Sequence, residues 1–324
     1  MMNRLTLLKR TLTFVAFIFS IFISFNSLAV ECGDIISTPK FLLQDLNCHL
    51  SPEKPVALTI EGPSGSLTMG NKQLTCSFNA GEGEVGIALE GFAARLVGGQ
   101  INDCPNGVIA RGRGSHSIIE TEIHAALFEG VTLESNNNIV SRSVVLGLGV
   151  TQGEGISLDG KNNTATENRV IGVGDEGIEI DGDFATVNFN YVDGNGDDGI
   201  DIEALNAIIT ANFVRGNDEG ISIEDDNAVV NSNTVTENGR NGIEIFGASN
   251  NLVSNNLVTK NGFVIPGSAG IVILLESDEN NEIVGNTSLG NSEVDLKDVF
   301  DPDCTGSNVW LDNIFETADP TCLK

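Results

Sequence analysis

Histidine is scarce in this chain and absent after residue 124. His49, His116 and His124 are the only three in 324 residues. There is one tyrosine, Tyr191, one tryptophan, Trp310, and past the opening pair one methionine, Met69. A copper centre of the thioether type therefore lacks ligands. The six cysteines contain no CxxC spacing, which with so few histidines argues against structural zinc. Basic residues are also few: 17 Lys+Arg stand against 45 Asp+Glu, a formal net charge of -28. That field disfavours nucleic acid, anionic membranes and unassisted binding of a polyanion. Metal cations, basic surfaces and neutral glycans remain compatible with it. No Pro- or Ser-rich linker divides the chain, so a single elongated domain is expected.

What is present begins with a leader. Arg4, Lys9 and Arg10 precede the apolar stretch Leu12 to Phe25, and Ser27-Leu28-Ala29 offers small residues for cleavage. Residues 1–29 read as a secretory signal, with cleavage after Ala29 and no membrane insertion of the mature chain. Glu31 before Cys32 argues against a lipid anchor. The leader carries three bases and no acids, so 14 Lys+Arg face 45 Asp+Glu in the mature chain, a charge of -31. Six cysteines in an exported protein imply disulfides. Spacing favours Cys32–Cys48, Cys76–Cys104 and Cys304–Cys322, which would staple the two ends.

A glycine-isoleucine pair recurs at Gly155, Gly177, Gly199, Gly220 and Gly242, in steps of 22, 22, 21 and 22 residues. Looser copies occur at Gly86, Gly107, Gly130 and Gly270. A fixed period of this length signals a solenoid. Within a repeat such as Gly177-Ile178-Glu179-Ile180-Asp181 the apolar and acidic residues alternate, the pattern of a strand with one buried face. Two more short strands follow in each repeat, with no helical periodicity between them. Asn168, Asn190, Asn212, Asn233 and Asn256 recur at one place and are expected to stack as an inward amide ladder. Asn195, Asn217, Asn238 and Asn261 form a second column, expected to supply the left-handed backbone of a tight turn.

These repeats resemble the right-handed parallel β-helix superfamily, which includes pectate lyases, polygalacturonases, alginate-modifying enzymes and periplasmic β-helix maturation proteins. Cys32-Gly33 leading to Asp45-Leu46-Asn47-Cys48 is similar to the opening segment of exported members. Asn308-Val309-Trp310-Leu311-Asp312-Asn313 is similar to their closing segment. The resemblance implies an all-β, single-stranded right-handed parallel β-helix (a solenoid) of roughly ten rungs. The N-terminal cap is placed at about 30–56, the rungs at about 57–290 and a disulfide-closed C-terminal cap at about 291–324.

Fifteen carboxylates and one base, Arg215, lie between Asp175 and Asp226. In register they form columns: Glu154, Glu176, Asp198 and Glu219 before the glycine, and Asp175, Asp197, Asp218 and Arg240 one residue earlier. Glu179, Asp201 and Glu244 stand on the outward face of the strand, with Asp159, Asp181, Glu203 and Glu224 beside them. Parallel rungs lie about 4.8 Å apart, and at that distance like charges repel by roughly 3.5 kcal/mol at an effective dielectric near 20. Two readings follow: a solvated acidic face, or a hard-cation site for Ca²⁺ built from Asp175, Glu176, Asp197, Asp198, Asp218 and Glu219. No organic cofactor is expected.

Gly196-Asp197-Asp198-Gly199-Ile200 also resembles the paired-aspartate segment of polygalacturonases. Asp218-Glu219-Gly220 and Arg240-Asn241-Gly242, however, stand where those enzymes carry Gly-His-Gly and Arg-Ile-Lys. If the chain is an enzyme, Asp197, Asp198, Asp218 and Arg240 are the catalytic candidates, in a polysaccharide lyase or glycoside hydrolase. The leading expectation is a secreted or periplasmic, non-catalytic protein binding a polysaccharide or cell-surface component with the help of Ca²⁺. A structural or adhesive spacer is the third reading. Tyr191, His116 and His124 are expected to be structural. The step from Gly242 to Gly270 is 28 residues, and its extra segment 261–268 is expected to plug the C-terminal rungs rather than to wall a groove.

Overall fold

A computed structural model describes residues 29–78, 83–147 and 153–323. The leader over 1–28 lies outside the described residues. The chain winds into a parallel β-coil of about twelve turns with a period of about 23 residues, slightly more than the ten rungs expected. One sheet of 13 strands runs from Ile35–Ile36 to Ala318–Asp319 and carries the glycine-isoleucine strands. The other two strands of each turn form two parallel stacks, such as Thr186–Asn188 on Ile208–Thr210 and Tyr191–Asp193 on Phe213–Arg215. The two stacks merge near the N-terminal end through the long strands Ser66–Phe78 and Arg95–Asn102. Strands from the segments assigned as caps pair into the same sheets, so the ends continue the coil.

Each central turn contributes four aliphatic side chains to one continuous core. Ile200, Ile202, Ile209 and Val214 are fully buried in one turn, and Ile221, Ile223, Val230 and Val235 lie above them in the next. Each such side chain stabilises the fold by about 1.5–3 kcal/mol relative to an exposed one. The repeated glycine is required by packing. A Cβ on Gly199 would lie 2.3 Å from Val214 Cγ1, 2.6 Å from Asn217 Nδ2 and 2.7 Å from the Gly220 carbonyl oxygen. Gly177 meets the same three kinds of neighbour on its own turn.

The asparagines stack as expected at the first column. Asn212 Nδ2 donates to Asn233 Oδ1 at 3.0 Å and to the Val187 carbonyl at 2.9 Å, while Asn212 Oδ1 accepts from Asn190. The second column differs from its expectation. Asn195, Asn217, Asn238 and Asn261 form another buried ladder, with Nδ2 to Oδ1 distances of 2.9–3.1 Å. The left-handed residue is the preceding one: Gly194, Gly216, Glu237 and Lys260 have φ of 57–70°. That residue turns the chain at the corner and leaves the next side chain inward. A third, interrupted ladder runs through Asn138, Asn163, Asn251 and Asn281. His116 occupies this ladder, its Nδ1 accepting from Ala94 N–H and its backbone N–H donating to Asn138.

The described cysteines pair as Cys32–Cys48, Cys76–Cys104 and Cys304–Cys322, as their spacing suggested. Tyr191 packs on the outside of the coil. Its ring stacks on Phe213 at 5.3 Å, Arg169 lies over it at 5.1 Å, and its hydroxyl donates to Asp193.

Candidate acidic groove

The glycine-isoleucine strands place Glu179, Asp201, Ser222 and Glu244 in one outward column, in direct register. The expectation of a solvated column needs correction here. Asp201 is 7% exposed and Glu244 8%, and Glu219, in the turn just before its strand, is 6% exposed. The outward side of this sheet is sunk in a groove of about 580 Å³. Glu176, Asp197, Asp198, Asp201, Glu219 and Glu244 bring carboxyls to it from successive turns.

Apolar residues complete the lining. Phe246 and Leu274 continue the Glu203–Glu224 column on the next two turns, and Ile265 and Pro266 come from the inserted loop, so segment 261–268 walls the groove instead of plugging the coil. Phe263 and Val264 at its tip are 67% and 70% exposed. Their far side lines a second groove with Asp218, Glu237 and Lys260. The longer step leaves room for this excursion because the stack itself is unbroken: Asn261 pairs with Asn291, and Ile243–Ile245 pairs with Ala269–Ile273. Lys297 Nζ donates to the Gly267 carbonyl at 2.9 Å, and Ser268 Oγ to that of Ile265, fixing the loop at its C-terminal side.

Burial and mutual repulsion hold many of these carboxyls protonated beyond their ordinary range. Burial first, then the charges of Glu219 and Asp197, pushes Asp198 up to about 8. Asp201 is raised to about 8 by burial and then by Asp198 and Glu224. Glu179 reaches about 8 through burial and Asp181, and Glu176 about 7 through burial and then Asp175. Glu219 is raised first by burial and then by the neighbouring Glu244 carboxyl. The cation lining this groove, Arg240, is already engaged, 3.1 Å from Glu219 and 3.7 Å from Asp218. Asn241 Nδ2 donates to Glu244 at 2.5 Å. Asp201 Oδ1 is buried and has no hydrogen-bond partner among the described residues.

The candidate residues fall into subsets. Asp197, Asp198, Glu219 and Arg240 meet in the groove, whereas Asp218 faces the second one. Asp175 and Glu176 join Glu154, and among the described residues these three form the group able to surround a metal ion, with ligand oxygens within 4.8 Å of one another. Two oxygens at the 2.3–2.6 Å usual for calcium span about that distance across an ion. Asp181, Glu203 and Glu224 are exposed, and of these Glu224 reaches the rim of the groove. Glu244 and Asn241 belong to the site although the sequence reading did not assign them to it. Glu244 stood in the outward column, and it is buried there, 8% exposed.

The sequence family described as right handed beta helix region matches residues 85–223 and, in an overlapping match, 154–315. No curated protein matches the chain in sequence. Among solved structures it is similar to the periplasmic alginate epimerase AlgG, at 14% identity and TM-score 0.60, over 88% of this chain and 82% of that one. It is also similar to the Azotobacter vinelandii mannuronan C-5 epimerase AlgE4 A-module, at 13% identity and TM-score 0.63, over 87% and 86%. The Dettilon tailspike protein gp208 gives 14% identity and TM-score 0.64, over 86% of this chain and 60% of the tailspike. At such identities the likeness is one of fold. The family matches together run from residue 85 to residue 315, and the chain belongs to the right handed beta helix region family.

Proposed function

We propose that this is an exported protein that binds a polysaccharide in the acidic groove, with Ca²⁺ at the Glu154–Asp175–Glu176 edge, and does not turn it over. The observation that carries the reading is the groove itself. Its acidic floor crosses several turns and adjoins the apolar residues Phe246, Ile265 and Pro266. An extended chain whose rings have polar edges and apolar faces fits against two such surfaces. Three disulfides support an oxidising destination. Epimerases of alginate and mannuronan share the fold, which supports a glycan as the partner. The calcium assignment is supported by an all-oxygen donor set.

One observation favours a second reading. Glu219 and Glu244 bring two carboxyl groups to the groove from neighbouring turns, that of Glu219 raised to about 8, and a pair of carboxyl groups is what acid–base hydrolysis of a glycosidic bond uses. Binding and turnover separate on a panel of neutral and charged polysaccharides assayed with calcium and with a chelator. Retention without new reducing or unsaturated ends supports the binder. Release of such ends, abolished by Glu219→Gln, replaces it with the hydrolase or lyase, and neither retention nor release on any glycan removes both.

A further inference from the structure

The floor of the groove is short of positive charge at a defined point. Asp201 Oδ1 is buried in a residue 7% exposed, lacks a partner, and belongs to a side chain lining the groove. Asp198 lies one turn before Glu219 and contributes to the same field, and Glu244 follows on the next turn. Arg240, which could have compensated, is held by Asp218 and Glu219. An oxygen left without a donor in a low-dielectric site is costly, and a ligand that brings a donor recovers that cost. The missing group is therefore a donor small enough to enter from the groove, and a cationic one would also offset the charges of the surrounding acids.

We infer that the buried Asp201 carboxyl, with Asp198 lining the same groove, takes the primary ammonium group of an amino sugar, so that the glycan bound is one bearing free 2-amino groups. This rests on the glycan-binding reading above and specifies its ligand. A primary ammonium offers three donors and no acceptor, which suits a buried carboxyl oxygen that lacks a donor. Its sugar ring presents C–H faces to Phe246 and Pro266, which line the same groove. Proton balance is met within the pair: a neutral amine takes the proton from the raised carboxyl of Asp201, leaving ammonium and carboxylate in contact. A uronate chain would bring carboxylate to carboxylate, and an N-acetylated chain would bring an amide N–H without charge. Calcium at the Glu154–Asp175–Glu176 edge is a separate site and leaves this floor free.

The test is calorimetric titration of the mature chain near neutral pH with four hexamers: glucosamine, N-acetylglucosamine, a uronic acid with and without calcium, and lysine. The glucosamine hexamer is expected to bind at least ~10-fold more tightly than its acetylated counterpart. Asp201→Asn should remove most of that preference while retaining the native circular dichroism spectrum. Asp181→Asn, on the exposed side, should keep it. Equal binding of both sugars would overturn the charge assignment while leaving the groove a glycan site. Lysine hexamer binding as tightly as glucosamine would overturn the sugar assignment. Binding of the uronate alone would reverse the sign of the ligand, and no binding of any sugar hexamer would remove the inference and the glycan reading together.

Discussion

Replacing Asp201 by asparagine should make the protein more stable at neutral pH, and by an amount that grows with pH. Asp201 is 7% exposed with one oxygen unpartnered, and burial with neighbouring charges raises its pKa from 3.8 to about 8. In the unfolded chain the same carboxyl ionises near its ordinary value. A raised folded pKa contributes stability that is complete below the unfolded value and is lost as pH climbs through the folded one. An isolated site would lose about 1.4 kcal/mol per pH unit between roughly pH 4 and pH 8. Asp198, also raised to about 8, shares the field and titrates with it, so about 2–4 kcal/mol by pH 7.5 is the expected gain of the variant. Asparagine cannot ionise, and its amide can donate to the neighbouring carboxyls. The assay is urea denaturation in chelator at about pH 4.5 and pH 7.5, comparing midpoints at constant slope. Near-equal midpoints at the lower pH and a higher midpoint for Asp201→Asn at the upper pH are expected. A variant equally or less stable at both would refute the argument that this carboxyl is held in an unfavourable buried environment.

Three further outcomes are expected. Asn212→Ala should lower the urea midpoint by about 2–4 kcal/mol of stability, since it strands the Asn190 N–H and the Val187 carbonyl at roughly 1–3 kcal/mol each; a neutral result would mean that the ladder contributes nothing. Gly199→Ala should cost about 1–3 kcal/mol or more through overpacking against Val214 and Asn217, whereas Gly83→Ala, with open space around it, should melt like the parent. Calcium at ~1 mM should raise the melting temperature, and Glu154→Gln should blunt that rise; an unchanged melt in calcium and in chelator would rule out the edge site.

The coil was legible because its signals are repeated and local. Gly177-Ile178, Gly199-Ile200 and Gly220-Ile221 fix period, register and inward face together, and the observed pairing follows that register. The disulfide partners followed from spacing alone. The depth of the acidic site was not legible. Alternation assigns Asp201 and Glu244 to the outward face, and outward usually means wet. They are buried like Thr132, Ser157 and Ser222 of the same outward column, and how deep a column sits is set by packing around the sheet that no periodicity encodes. The left-handed residues escaped for another reason. Asparagine is the usual candidate for that conformation, yet here Phe189, Ala211 and Ser232 carry it, because the following asparagine is needed in the ladder.

The glycine at the head of each turn has a consequence for how such a protein can change over time. With Val214 Cγ1, Asn217 Nδ2 and the next turn's Gly220 carbonyl crowding the place of its Cβ, every turn must return to one phase, whatever happens elsewhere along it. Variation is thereby confined to the corners, and the 28-residue step before Gly270 uses one corner to raise a wall while the sheets below stay in step. The coil then behaves as a chassis with exchangeable fittings. A relative could acquire a different recognition surface by replacing residues 262–268 alone, leaving the core, the ladders and the stapled ends untouched.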